Sequence, residues 1–120
     1  HIRGGDYLRM PKHFVNLEKY YKKAIEHMST FTNSEPLVFT DDEKYAKSLG
    51  FTPTTVTNEI DCLAQMSSCT IGGICANSTF SWWGAYLNQN PDKIVIMPSV
   101  WINIGYFIDI YPSNTVIIDV

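Results

Sequence analysis

The chain has 120 residues, of which 45% are hydrophobic and 18% charged, with a formal net charge of −3. This is enough chain for one domain with a real core, and no apolar run nears the ~20 residues needed to cross a bilayer. Eight of the nine Lys and Arg lie in residues 1–50 beside seven acids, and only Lys93 faces the five acids of the remainder, so no basic stripe is available for nucleic acid.

Taken in order, the pair Gly4-Gly5 with Asp6 predicts a turn after a short strand at the start of the chain. Phe14, Leu17, Tyr21, Ala24, Ile25 and Met28 recur at helical spacing and predict an amphipathic helix over roughly 13–31. Leu37-Val38-Phe39 reads as a short buried strand after Pro36. Asp41-Asp42 then caps a helix over about 42–49 that Gly50 ends. Phe51 to Val56 reads as a threonine-rich strand, and Glu59 to Ser68 as a second amphipathic helix. Thr70 to Ala76 is an apolar run that leads into Asn77-Ser78-Thr79 and a helix over Phe80 to Asn88. Strands follow at Lys93 to Met97, ended by Pro98, and at Thr115 to Val120, joined by an aromatic and Pro/Gly-containing connector. Short buried strands alternating with helices predict a Rossmann-like parallel sheet with helices on both faces. No repeat, low-complexity tract or internal linker interrupts it.

Cys62, Cys69 and Cys75 are odd in number and lack C-x-x-C spacing, so they read as reduced core residues rather than a disulfide or zinc framework. The expected location is the cytoplasm, free or peripheral at the inner membrane face. No secretory leader is recognisable. The first residue is not Met and the chain opens inside a motif, so it is expected to be a piece of a longer protein.

In an open parallel sheet the ligand crevice lies beyond the carboxyl ends of the strands. Three segments reach such ends: His1 to Tyr7, Thr40 to Asp42, and Asn77 to Ser81. The first turn of a helix leaves backbone N–H groups unpaired, which suits an anion. Ser78 and Ser81 can add hydroxyls, or can serve as plain caps. Arg3 can grip a phosphate by a fork of hydrogen bonds, or can be a surface arginine in a turn. Asp6 either orients Arg3 or caps the next segment, with capping the expected role. Asp41 and Asp42 can contact ribose hydroxyls or a metal, yet an Asp pair before a helix more often complements its dipole. No acid or histidine stands at a metal-ligand spacing, and no metal is expected. Trp82 and Trp83 read as packing residues, with Gly84 and Ala85 admitting a close helix neighbour. His1 is a base contact or a general base. Together these segments suggest a nucleotide diphosphate site.

The same residues resemble the alpha-1,2-fucosyltransferases of glycosyltransferase family 11. That family carries H-x-R-R-x-D-Y, matched here by His1 to Tyr7, then a strand ending in an Asp pair, matched by Phe39 to Asp42. Met66 to Cys69 and the Ala76 to Asn88 segment follow its M-S-x-C and A-N-S-S-F-S-W-W-G-A-W-L-N, and Lys93 to Pro98 with Trp101 continue the pattern. The resemblance implies a GT-B enzyme of two Rossmann-like domains, with residues 1–120 as the donor-binding carboxyl-terminal one. It implies inverting, metal-independent transfer of L-fucose from GDP-L-fucose to a galactose-containing glycan, with no separate cofactor. Arg3 would neutralise the leaving diphosphate, and Asn77, Ser78 and Ser81 would line its oxygens. His1 would lie near guanine, Asp6 beside Arg3, and Asp41 and Asp42 in the crevice wall. Two departures stand out: Gly4 replaces the second arginine, and Cys62 replaces an acid, with Asp61 one position early. The isolated 120 residues are expected not to transfer sugar. The alternatives are a degenerate nucleotide- or glycan-binding module and an interaction protein built on the same core. Acceptor identity, catalytic base and oligomeric state are not legible.

Overall fold

A computed structural model describes residues 1–120. Its regular elements are a 3-10 turn at Gly5–Arg9, helices α1 (Glu18–Ser29), α2 (Glu43–Ser48), α3 (Glu59–Ser67) and α4 (Thr79–Leu87), and strands β1 (Gly72–Ile74), β2 (Ile94–Pro98) and β3 (Thr115–Ile118). The strands form a parallel sheet in the order β1-β2-β3.

Backbone hydrogen bonds carry the sheet beyond β1. The His1 nitrogen donates to Ile74 O (2.8 Å) and Ile2 N–H to Phe39 O (2.8 Å), with a parallel bridge from Ile2 to Thr40. Thr54 N–H then reaches Val38 O at 2.8 Å. Across the molecule the segments therefore run 54, 38–40, 1–2, β1, β2, β3. This is a small α/β arrangement compatible with a Rossmann-like fold, and the order reverses between Ile2 and β1. A crevice outside the carboxyl ends of strands belongs at such a switch point.

Side chains alternate across a strand, and β2 displays this directly. Ile96 joins a cluster with Ile2, Leu17, Tyr20, Tyr21, Ala24 and Ala46, under α1 and α2. Its neighbours Val95 and Met97 join Cys75 and Ala85 on the opposite face, under α4. Helices thus cover both faces, as expected. Tyr20 is fully buried, and its hydroxyl donates to Cys75 O (2.7 Å) and lies 3.1 Å from Ile96 O. It anchors α1 to the switch-point end of the sheet. Tyr20→Phe should cost about 1–2 kcal/mol, the loss of a buried hydrogen bond, read as a lower urea midpoint with an unchanged slope.

Several expectations need correction. α1 starts at Glu18 rather than near residue 13, because the backbone of the preceding loop is used elsewhere: His13 O accepts from the Asn77 amide and Lys12 O from Asn103 N–H. The 51–56 stretch forms no regular strand and makes the single sheet bond at Thr54. Pro53 has no donor to offer there. Cys62 and Cys75 are buried free thiols, whereas Cys69 is only partly covered. Trp82 packs under the sheet and donates its indole N–H to Ile110 O (2.8 Å), but Trp83 is 49% exposed. Gly84 does admit a close neighbour: a Cβ there would sit 2.7 Å from Met66 Cε of α3.

Candidate functional site

Arg3 lies just past the switch point. Its Nη2 pairs with Asp6 Oδ1 at 2.7 Å, its Nη1 with Asp41 Oδ2 at 3.0 Å, and its guanidinium carbon stands 4.6 Å from the Tyr7 ring centroid. Its Nε is buried with no partner. Partly exposed ion pairs contribute little stability, roughly 0–1 kcal/mol, so their effect here is to fix where the guanidinium points. Asp6 therefore orients Arg3 and does not cap: the 3-10 turn that follows Gly4 has no side-chain cap.

The two glycines and two aspartates form one interlocked contact. Gly4 N–H donates to Asp41 Oδ1 (2.8 Å) and Gly5 N–H to Asp42 Oδ2 (3.0 Å). Asp42 also accepts from Tyr45 N–H (2.9 Å), the expected N-cap of α2. Those backbone donors, Tyr45 first and Gly5 next, hold the Asp42 carboxyl below its ordinary value. A depressed carboxylate lends stability that is present above the ordinary carboxylate range and disappears as pH falls through its folded value. Urea midpoints measured from pH 7 down to 3 should thus fall less steeply in Asp42→Asn than in wild type, since Asn still caps but does not titrate.

On the other side of the switch point, the loop between β1 and α4 is almost wholly enclosed. Asn77 is 4% exposed, Ser78 3% and Ser81 0%. The Asn77 amide donates to His13 O (2.9 Å) and Trp101 O (3.0 Å). Ser81 Oγ accepts from Ala76 N–H (3.1 Å) and lies 2.5 Å from His1 Nδ1. The Tyr21 hydroxyl fixes the same residue by donating to His1 O at 3.0 Å. Ser78 is the N-cap residue of α4 but makes no side-chain cap, and Thr79, Phe80 and Ser81 N–H donate to no acceptor within the chain. Ser81 is enclosed, so the Thr79 and Phe80 N–H groups at the helix mouth are the ones suited to an anion. Arg3 and Asn77 line one narrow cleft with Tyr7, His13 and Tyr45. Burial pushes the nearby Cys75 thiol up to about 11, which leaves it without nucleophilic character.

A family model for glycosyl transferase family 11 matches residues 1–114. The chain belongs to that family. Among curated proteins it is 39% identical to the O-antigen biosynthesis glycosyltransferase WbnK of Escherichia coli, with 84% of this chain and 37% of the relative covered. It is 34% identical to an alpha-1,2-colitosyltransferase of Escherichia coli, over 84% of this chain and 39% of that protein. The chain spans less than two-fifths of the length of either relative. No solved structure matches it.

In this family 11 chain, then, the motif segments quoted from the sequence do meet at one edge of the sheet. His1 touches Ser81, Arg3 touches Asp6 and Asp41, and Asn77 faces the Arg3 cleft. Three details went unread in the sequence: Tyr7 as the face under Arg3, Ser81 as the partner of His1, and Tyr21 as the clamp on the His1 carbonyl. Tyr7 lies inside the first motif, and Tyr21 lies on the buried stripe of α1, so only the Ser81 pairing left no local trace. Gly4 has a structural cause. A Cβ there would lie 2.6 Å from Asp42 Cβ, so an arginine at position 4 cannot be added without moving the start of α2. Gly4→Arg should cost about 1–3 kcal/mol by overpacking and lower the urea midpoint.

Proposed function

We propose that this chain is the donor-binding half of an inverting glycosyltransferase of GT-B architecture. It would take GDP-L-fucose as donor and form an alpha-1,2 linkage to a galactose-containing glycan. The observation that carries the reading is the convergence at the switch point: Arg3 and the α4 mouth share one edge of the sheet in a chain whose family transfers glycosyl groups. The name of one relative makes colitose the competing donor sugar.

The chemistry follows from charge. Glycosyl transfer passes through an oxocarbenium-like state while negative charge grows on the leaving diphosphate. Preorganised donors stabilise that growing charge without reorganising. The N–H groups of Thr79 and Phe80 would be such donors, and the Asn77 amide holds their loop in place. Arg3 would contribute the Nη N–H groups left over from Asp6 and Asp41. Because those two carboxylates outnumber the one guanidinium, the helix mouth would carry more of the new charge than Arg3 does. His1, fixed by Ser81, would present its ring to the base end of the nucleotide. Asp42 belongs to α2 as its cap rather than to the ligand. The acceptor's proton would go to a group on the facing domain, so the isolated 120 residues are expected to bind donor without transferring it. The protein would work in the cytoplasm or at the inner membrane face.

Calorimetry of the full-length protein with GDP and ADP, followed by transfer assays with GDP-L-fucose and a galactoside, tests this reading. Preference for GDP with turnover supports it. GDP binding without turnover of either fucose or colitose donors would favour the degenerate binding module. Binding of neither nucleotide would leave an interaction protein.

A further inference from the structure

A cavity of about 670 Å³ lies away from the switch-point crevice. It opens at the opposite end of the sheet, between the start of the 37–39 segment and the start of β1, and Ile25 and Met28 of α1, Ala64 of α3 and Ser68 just after it wall it. Gly72, Gly73 and Ile74 of β1 line it, as do Leu37 and Val38. In β1, residues 71, 73 and 75 face β2, as the bonds of Ile71 O to Ile94 N–H and of Cys75 N–H to Ile96 O establish. Gly72 and Ile74 therefore turn their peptide groups the other way, and only Ile74 O is taken, by His1. On the far wall, Phe39 O receives Ile2 N–H, while Val38 O faces away toward Thr54. Leu37 O and Phe39 N–H thus look into the same space. Leu37 O, Phe39 N–H, Gly72 O and Ile74 N–H have no partner in the chain, although Phe39 is only 3% exposed. Buried main-chain groups are rarely left unpaired.

We propose that this cavity is a strand slot, filled in the full-length protein by the extended residues that run directly into His1 and complete the central strand. The register is fixed by the bonds already present on both sides of it. In a parallel ladder a residue donates to one neighbour and accepts from the residue two further on. The residue immediately before His1 would donate to Leu37 O and accept from Phe39 N–H. The residue before that would donate to Gly72 O and accept from Ile74 N–H. All four orphaned groups are satisfied by two residues. Alternation sets the side chains as well: the first of the two shares a face with Ile2 and packs on Ile25 and Met28, so an apolar, β-branched residue suits it. The curated relatives are more than twice as long as the matched stretch, so sequence is available in proteins of this kind to supply such a strand. The inference concerns the fold and is independent of the donor-sugar reading.

Amide hydrogen exchange on the full-length protein decides it. Phe39 and Ile74 N–H should exchange on the order of a hundredfold or more slower than unstructured peptide, in step with β2. Exchange of either amide at the unstructured rate overturns the proposal. Protection that grows with protein concentration also overturns it, since a second copy would then be the occupant. As an independent check, proline at the second position before His1 removes the donor to Gly72 O and should lower Tm more than alanine there. If that variant does not fold, the exchange measurement on the wild-type protein stands alone as the test.

Discussion

Arg3→Ala in the full-length protein should lower glycosyl transfer by about a hundredfold or more, the scale set by loss of one preorganised donor to a developing anion. The geometry gives reason to expect the upper part of that range. Asp6 and Asp41 sit 2.7 and 3.0 Å from the guanidinium, and deleting it leaves both carboxylates uncompensated beside the place proposed for the diphosphate. The substitution therefore removes an attraction and creates two repulsions. Arg3→Lys should recover little, because one ammonium cannot reach both acids while lying flat on Tyr7. Adding Asp6→Asn and Asp41→Asn to Arg3→Ala should regain part of the donor affinity. Donor titration and steady-state rates check both statements, and transfer within a few-fold of wild type for Arg3→Ala would remove Arg3 from the leaving-group site.

The largest loss of stability should come from Gly72→Ala. Gly72 sits at φ +128°, and a Cβ there would lie 2.0 Å from Ile94 O and 2.7 Å from Ile94 N, all of it backbone. No side-chain rotation can relieve that contact, so β1 must separate from β2 or the peptide must turn. Strain at a glycine-only conformation and overpacking together amount to about 3 kcal/mol or more, a large share of the roughly 5–15 kcal/mol that holds a domain folded. Gly73→Ala is the control, since its Cβ would meet nothing within 4 Å; it should move the urea midpoint little. Equal losses from the two substitutions would contradict the observed packing of β1 on β2.

What the sequence made legible was local. Asp42 and Gly50 bracket α2 as their side-chain and backbone chemistry requires, and the apolar runs at Ile94–Pro98 and Thr115–Ile118 are strands because nothing interrupts them. The misread pieces depend on distant partners. Phe14 falls on the helical stripe, yet its segment stays a loop because Asn77 and Asn103 claim its carbonyls from 64 and 91 residues away. The site divides in the same way. The motif segments come together at one edge of the sheet. The pairings of Arg3 with Asp41 and of His1 with Ser81 cross 38 and 80 positions, and no periodicity or capping pattern encodes such a distance. Ser81 is the instructive residue: its place in the first turn of α4 suggested an anion contact, whereas folding turns its hydroxyl inward to a backbone N–H and an imidazole.

Asn77 has a consequence for how this region comes apart. One amide bridges the loop before α1, at His13, and the connector after β2, at Trp101, from its own position between β1 and α4. Three stretches of chain remote from one another in order share a single knot, so none can fray without untying the others. Opening of the cleft should then behave as one cooperative event, with amides in all three stretches losing protection together as denaturant rises, and with Asn77→Ala dissolving that synchrony.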